Sequence, residues 1–270
     1  MSINLSAEMT AQSIADQFAI LPEVTAVALA GSRTAPDSDA LSDIDLYVYS
    51  QSQVPVASRI LLAHQYSQKP QIDNHFWEDG DEWIDETSGL AIDITYRSPQ
   101  WIEEQLDRVL VHHQASLGYS TCFWANVRTS KALFDREGWF ARLQQIADQP
   151  YSDELQQAII DKNYPVLRTL DHSAYVRQLE SAVKRGDLVS VQHRSAAILA
   201  SYFDILFAVN KQLHPGEKRL VQYAQQLAKV PADCAKDVDA FIVSVCSPDT
   251  VLSAATRLLD KLDALLAQER

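Results

Sequence analysis

The sequence contains few of the residues and motifs that mark several large protein classes. Cysteine occurs three times in 270 residues, at Cys122, Cys234 and Cys246, without the spacing of a metal site. Because the number is odd and the positions are scattered, we expect reduced thiols rather than a disulfide framework or a zinc site. The P-loop pattern Gly-x4-Gly-Lys-Ser/Thr, the dinucleotide-binding pattern Gly-x-Gly-x-x-Gly and the metalloprotease pattern His-Glu-x-x-His are all absent.

Basic residues and long apolar runs are also scarce. The chain has 23 Lys and Arg residues against 36 Asp and Glu residues, a net charge of -13, and no large basic cluster. Proteins that bind a nucleic-acid backbone usually carry such a cluster, so we expect no nucleic-acid partner. No apolar run approaches the roughly twenty residues of a membrane span, and the first residues lack the features of a signal peptide. We therefore expect a cytoplasmic protein without membrane contact.

A compact pattern of glycine, hydroxyl and carboxylate residues lies near the beginning of the chain. An apolar run, Val24 to Ala30, ends in Gly31-Ser32, and after ten further residues Asp43-Ile44-Asp45 opens a second apolar run. Two carboxylates two positions apart on a strand point the same way, and carboxylate oxygens are ligands that Mg2+ prefers. Glycine lets backbone N–H groups approach a ligand closely, so the Gly-Ser turn suits a triphosphate beside the metal.

The pattern Gly-Ser-x10-Asp-x-Asp between apolar strands resembles the signature of the nucleotidyltransferase superfamily that includes DNA polymerase beta. The resemblance implies that Asp43 and Asp45 bind one or two Mg2+ ions, and that ATP or another nucleoside triphosphate is a substrate. It also implies that Gly31 and Ser32 hold the phosphates, with Arg33 as a further phosphate-binding candidate.

Members of this superfamily usually complete the metal site with a third carboxylate on a nearby strand. Asp93 is our candidate, because it lies inside the apolar run Leu90 to Tyr96, where a lone buried charge would be costly. Asp73 is the alternative, in a segment that alternates polar and apolar residues. We expect Asp93 to bind metal or to remove the proton of the attacking hydroxyl.

The pattern of the chain changes near residue 150. Residues 1–150 mix helical and strand signals, and residues 151–270 read as a bundle of about five helices. We therefore predict an α+β protein with an N-terminal mixed-sheet nucleotidyltransferase domain and a C-terminal all-α helical bundle that binds the substrate. Three helices are predicted at 6–21, 55–66 and 98–113, three strands near 71–76, 81–85 and 90–96, and a central helix over 188–213.

The segment Ser201 to Leu220 carries a second resemblance, to a bacterial family of nucleotidyltransferase-like proteins with a domain of unknown function. That family is related in layout to lincosamide and aminoglycoside nucleotidyltransferases. Glu217, Lys218 and Arg219 are predicted to start a helix after His214-Pro215-Gly216. Cations oppose the macrodipole at a helix N-terminus, so we expect Lys218 and Arg219 to bind the triphosphate. Glu217 is an alternative to Asp93 as the general base.

These resemblances imply an enzyme that transfers a nucleoside monophosphate, AMP from ATP, to a hydroxyl of a small molecule. An aminoglycoside or lincosamide antibiotic is a candidate acceptor, with antibiotic resistance as the corresponding role. Two alternatives stay open: a protein adenylyltransferase of the antitoxin kind, and a nucleotide-binding protein that has lost catalysis. The sequence is compatible with a monomer or a homodimer.

Overall fold

The computed structural model belongs to the α+β class. It describes residues 2–34, 42–169 and 172–269, and for residues 2–6 and Ser32 it describes the backbone only. The strands within this part are β1 Val24–Ala30, β2 Ile44–Ser50, β3 Gln71–Asn74, β4 Gly80–Ile84, β5 Ala91–Arg97 and β6 Lys131–Asp135. They form one mixed sheet in the order β3-β4-β5-β2-β1-β6, in which β2 and β5 are parallel and the other pairings are antiparallel.

The helices occur both between the strands and after the last strand. Five accompany the sheet: α1 Ser2–Ala19, α2 Val56–Ala63, α3 Pro99–Leu110, α4 Cys122–Thr129 and α5 Trp139–Ala147. Six more follow: α6 Asp153–Leu167, α7 Tyr175–Arg185, α8 Leu188–Val209, α9 Leu220–Ala224, α10 Cys234–Ser244 and α11 Pro248–Gln268. None of the helices in the described residues has both the length and the apolar character that crossing a bilayer requires.

Alternation along the strands gives the sheet one apolar face and one mixed face. Val27 and Leu29 of β1, with apolar residues of β2 and β5, pack in a core that also contains Ile14 and Phe18 of α1. Since successive strand residues point to opposite faces, Ala28 and the other intervening positions lie on the second face. The core therefore fixes which side chains the second face presents.

The chain groups into two compact units. Residues 1–107 and 126–149 form the first, here called the sheet unit, which holds the strands described above. Residues 108–125 and 150–270 form the second, here called the helical unit. This grouping differs from the predicted division into 1–150 and 151–270, because the segment 108–125 belongs with the helical residues.

The helical unit is built around α8. The second half of this helix is buried on all sides, from Ser201 to Val209, and packs with leucines of α11 such as Leu258 and Leu262. A mostly apolar helix segment that is buried on every side is expected at the centre of a bundle. The prediction of a central helix in this region is confirmed.

The sequence pattern located most elements of the sheet unit but not all. The helices predicted near residues 6–21, 55–66 and 98–113 correspond to α1, α2 and α3, and the predicted strands correspond to β3, β4 and β5. The strand β6 was not predicted, since its sequence Lys-Ala-Leu-Phe-Asp is short and alternates only weakly. It pairs with β1, and the Asp135 carboxylate that ends it accepts hydrogen bonds from the N–H groups of Phe140 and Ala141.

Candidate functional site

Two of the predicted carboxylates are neighbours on the mixed face of the sheet. Asp45 of β2 is paired directly with Asp93 of β5 in the parallel register. The residues on either side of Asp45, Ile44 and Leu46, are buried in the core on the opposite face. Asp43 lies one residue before β2 and is exposed. The structure thus brings Asp45 and Asp93 side by side, with Asp43 at the entrance to the same strand.

Gly31 lies against the Asp45 carboxylate. It begins a short 3-10 turn, Gly31–Thr34, directly after β1, and its φ of 66° is in the left-handed region. A Cβ atom at Gly31 would overlap the Asp45 carboxylate and lie 2.6 Å from its Cγ. Only glycine avoids both the backbone strain and this overlap. The glycine and the second aspartate of the sequence motif are therefore in direct contact.

The rest of the turn is held by side-chain hydrogen bonds. Thr34 Oγ1 donates to the carbonyl of Gly31 at 2.9 Å. Arg33 Nε donates to the carbonyl of Asp43 at 3.0 Å, and Arg33 Nη2 donates to the carbonyl of Ser42. The Ser32 side chain lies outside the described residues, so its predicted phosphate contact stays a prediction, as does that of Arg33.

A fourth carboxylate, not predicted from the sequence, lies on the same face. Glu82 of β4 is directly opposite Asp93 in the antiparallel pairing of β4 with β5, and it is exposed. Like charges in directly opposite positions destabilise a sheet. Neighbouring strands thus place Asp45, Asp93 and Glu82 in one row. The sequence predicts a strand near Glu82 but not its partner, so only the register of β4 with β5 places Glu82 beside Asp93.

The environment of Asp93 favours its neutral form. Burial raises the pKa of Asp93 to about 6, and the negative charges of Asp45, Glu82, Asp43 and Glu78 act in the same direction. The side chain is nevertheless more than a third exposed, so solvent screens part of this repulsion. A cation placed between these groups would relieve it.

The donor set fits Mg2+ better than a metal that needs a complete protein cage. Within the described ranges, no three His, Cys, Asp or Glu side chains converge closely enough to hold a metal ion by themselves. Mg2+ commonly takes only one or two carboxylates and fills its other positions with water and substrate phosphates. Asp45 with Asp43 or Asp93 satisfies that requirement when a triphosphate accompanies the metal.

Asp73, the alternative third carboxylate, has a structural role instead. It lies on the edge strand β3, and its Oδ1 is 3.1 Å from Nη1 of the buried Arg59. The Nε of Arg59 also donates to Asp81 at 2.9 Å, and the Tyr96 hydroxyl donates to the same carboxylate at 2.6 Å. An unpaired buried arginine would be costly, so Asp73 and Asp81 are needed as its counter-charges.

A paired arginine lies farther along the same face. Arg97 of β5 is four residues after Asp93, and its Nε and Nη2 donate to Glu78 at 2.8 and 2.7 Å. Its guanidinium lies 4.2 Å from the ring centre of Tyr47 and 5.0 Å from that of Trp101. At about 3.3 Å per strand residue, this cluster stands roughly 13 Å from Asp93.

The predicted cations Lys218 and Arg219 belong to the helical unit. Lys218 is exposed, and Arg219 has a left-handed φ of 59° immediately before the five-residue helix α9. Glu217 and both cations therefore precede that helix rather than start it, contrary to the prediction. So short a helix has a small macrodipole, which removes the electrostatic reason for expecting an anion there. Their role in binding the triphosphate stays a prediction.

The helical unit also contains a groove of about 420 Å3 between α6, the end of α8 and α11. Its charged side chains are paired with each other: Lys211 with Asp153, and Lys229 with Glu269. Paired surface charges of this kind contribute little energy and offer little selectivity for a ligand. The residues predicted to bind the metal and the triphosphate do not line this groove.

Comparisons with known proteins leave the family open. No protein-family model matches the chain, and no curated protein matches it. Among solved structures, a nucleotidyltransferase-like protein from Exiguobacterium sibiricum 255-15 is 13% identical, with a TM-score of 0.47 over 97% of this chain and 75% of that chain. At such values a likeness carries no functional argument, and the proposal below depends on the geometry of the site.

Proposed function

We propose that the protein catalyses Mg2+-dependent transfer of a nucleoside monophosphate, AMP from ATP, to a hydroxyl group of a small molecule. The observation that supports this most strongly is the arrangement of three of the predicted site residues. Asp45 and Asp93 are paired on one face of the sheet, and Gly31 lies so close to the Asp45 carboxylate that any side chain there would have to displace it. A solvated turn beside two unrelated acids would not need that contact.

Each residue then has a defined part in the reaction. Asp43 and Asp45 hold the metal, and the backbone of Gly31 and Ser32 binds phosphate oxygens. When bound, Mg2+ neutralises charge on the triphosphate and on the leaving pyrophosphate. The acceptor oxygen forms a bond to the α-phosphorus while the bond from that phosphorus to the bridging oxygen of the β-phosphate breaks. The hydroxyl proton passes to a carboxylate, for which Asp93 is the candidate beside Asp45.

The test is transfer of labelled AMP. Incubation with α-labelled ATP, MgCl2 and a panel of hydroxyl acceptors, including an aminoglycoside and a lincosamide, is expected to give a labelled small molecule and one pyrophosphate per transfer. Asp45→Asn is expected to abolish both products. Asp148→Asn is the matched control, because Asp148 is an exposed acid of the sheet unit that pairs with Arg128. It should retain full activity.

Other outcomes would contradict the proposal in distinct ways. Label found on a protein instead of a small molecule would indicate a protein adenylyltransferase. ATP binding without pyrophosphate release for any acceptor would favour a nucleotide-binding protein that has lost catalysis. Equal activity of Asp45→Asn and Asp148→Asn would place the reaction away from these carboxylates.

A further inference from the structure

Arg33 connects the two halves of the sequence motif through the main chain. Its side chain starts from the turn after β1 and reaches the two residues that precede β2. Arg33 Nε donates to the carbonyl of Asp43 at 3.0 Å, and Nη2 of the same guanidinium donates to the carbonyl of Ser42. Ser42 is buried and Arg33 is half-buried. One planar group therefore binds two successive carbonyl oxygens.

The geometry of a guanidinium makes this contact a constraint. Its N–H groups are fixed in one plane, so two carbonyls that bind it keep a fixed distance and orientation. Hydrogen bonds from a charged donor are stronger than neutral ones, particularly where water has limited access. The backbone at Asp43 is thereby held relative to Gly31, which in turn contacts Asp45.

We propose that Arg33 is a positioning residue that sets the main chain at Asp43, so that the carboxylates of Asp43 and Asp45 face the same metal. This inference rests on the proposed function, and it differs from the sequence prediction that Arg33 binds phosphate. The two roles demand different chemistry. A phosphate contact needs positive charge, whereas the positioning role needs the two-pronged donor geometry of arginine.

Arg33→Lys separates the two roles, because lysine keeps the charge and loses the planar fork. Arg33→Gln loses the charge as well. Arg128→Lys is the matched control: Arg128 belongs to the sheet unit and forms an exposed ion pair with Asp148. We would titrate each protein with ATP by calorimetry, once with EDTA and once with MgCl2.

If Arg33 is a positioning residue, the affinity of Arg33→Lys for metal-free ATP should be within about threefold of the wild-type affinity. The factor by which Mg2+ increases ATP affinity should be about tenfold or more smaller in Arg33→Lys than in wild type. Arg128→Lys should match wild type in both titrations. The proposal is overturned if Mg2+ strengthens ATP binding by Arg33→Lys as much as it strengthens ATP binding by wild type. It is also overturned if the affinity for metal-free ATP falls strongly in Arg33→Gln and is retained in Arg33→Lys, because that result would identify Arg33 as a phosphate-binding residue.

Hydrogen exchange gives a readout that does not depend on the proposed function. If Arg33 holds the start of β2, the amides of Ile44 and Asp45 should exchange about tenfold faster in Arg33→Lys than in wild type. Unchanged exchange there would overturn the positioning role even for an active enzyme. Faster exchange in a protein that shows no Mg2+ effect on ATP binding would keep the positioning role and refute the transferase proposal.

Discussion

Gly31 is the residue on which the geometry of the candidate site depends most directly. The left-handed backbone of this turn alone would favour glycine, as it does at several other positions of the chain. The contact with the Asp45 carboxylate adds a second and independent requirement. A glycine with both requirements links the turn to a carboxylate of the proposed metal site, so its replacement should affect function beyond its effect on folding.

Gly31→Ala is expected to lower turnover by at least about a hundredfold, because the new methyl group must displace the Asp45 carboxylate. Gly89→Ala is the control, since Gly89 has a similar φ of 71° and no atom lies within 4 Å of the place that its methyl group would take. Both variants should lose about 1–2 kcal/mol of unfolding free energy from backbone strain. Equal activity of the two variants would show that the contact with Asp45 has no functional role.

Asp93 presents the opposite case, a residue whose charge costs stability in the ligand-free protein. Its pKa is raised to about 6, so the folded state binds an extra proton between about pH 4 and 6, and the stability contribution falls as pH rises through that window. Asp93→Asn should therefore stabilise the ligand-free protein at pH 7, by less than about 1 kcal/mol because the side chain is partly solvated.

The same substitution should abolish transferase activity. Denaturant titrations at pH 7 and pyrophosphate release assays would measure the two effects on one protein sample. A variant that is both less stable and fully active would show that Asp93 is an ordinary strand residue.

At the scale of elements, a buried polar network fixes the segment before α4 to the helices α6 and α8. The carboxylate of Asp204 accepts hydrogen bonds from the N–H and hydroxyl of Ser120, at 3.0 and 2.6 Å. Asn163 of α6 donates to the same carboxylate at 3.0 Å, and its Oδ1 accepts from the N–H of Gly118 at 2.9 Å. Nearby, the N–H of His214 donates to Thr121 Oγ1 at 2.8 Å.

Two buried groups of this region should respond to pH in opposite directions. Burial raises the pKa of Asp204 to about 6, so stability falls as pH rises from about 4 to 6. Burial lowers the pKa of His214 to about 4, so the unfolded state binds the extra proton, and stability rises with pH between about 4 and 6.5. Each effect amounts to about 3 kcal/mol, and the two largely cancel.

Asp204→Asn should expose this cancellation. The unfolding free energy of wild type minus that of the variant is expected to decrease by about 3 kcal/mol between pH 4 and 6. Denaturant unfolding at half-unit pH steps would measure it. The unfolding free energy of wild type minus that of His214→Gln should instead increase with pH over the same window. A difference that stays constant across the window would mean that Asp204 is not charged and buried as the structure has it.

The elements also show what the sequence could and could not predict. The motif strands and α8 were predictable, because their apolar patterns are continuous and long. β6 was not predictable, since its five residues alternate only weakly and its pairing with the distant strand β1 makes it a strand. Glu82 and the ion pair of Asp73 were likewise hidden, because cross-strand register and a distant arginine decide their roles.

At the scale of the whole molecule, the chain passes between the two units three times. Residues 108–125 leave the sheet unit, pack in the helical unit and return, which the change in sequence pattern near residue 150 did not indicate. The helical unit therefore lacks part of its interior when it is cut at the predicted boundary. Asp204 would then lose both hydrogen bonds from Ser120 and remain as a poorly compensated buried charge.

A fragment of residues 150–270 should accordingly melt at least about 10 °C below the same fragment fused through a flexible linker to residues 108–125. Circular dichroism melts of the two fragments would measure the difference. The fusion should also unfold more cooperatively. Identical melting curves would show that 108–125 is a peripheral addition, and that the boundary near 150 describes the folding unit better.

The central claim is that these carboxylates bind a metal–nucleotide complex, and calorimetry of ATP binding tests it most directly. Wild type, the double variant Asp43→Asn/Asp45→Asn and the control Asp148→Asn would be titrated with ATP, each with and without MgCl2. We expect Mg2+ to strengthen ATP binding at least about tenfold in wild type and in Asp148→Asn, and to have no effect in the double variant. Mg2+-dependent binding that survives in the double variant, or is absent from wild type, would contradict the account.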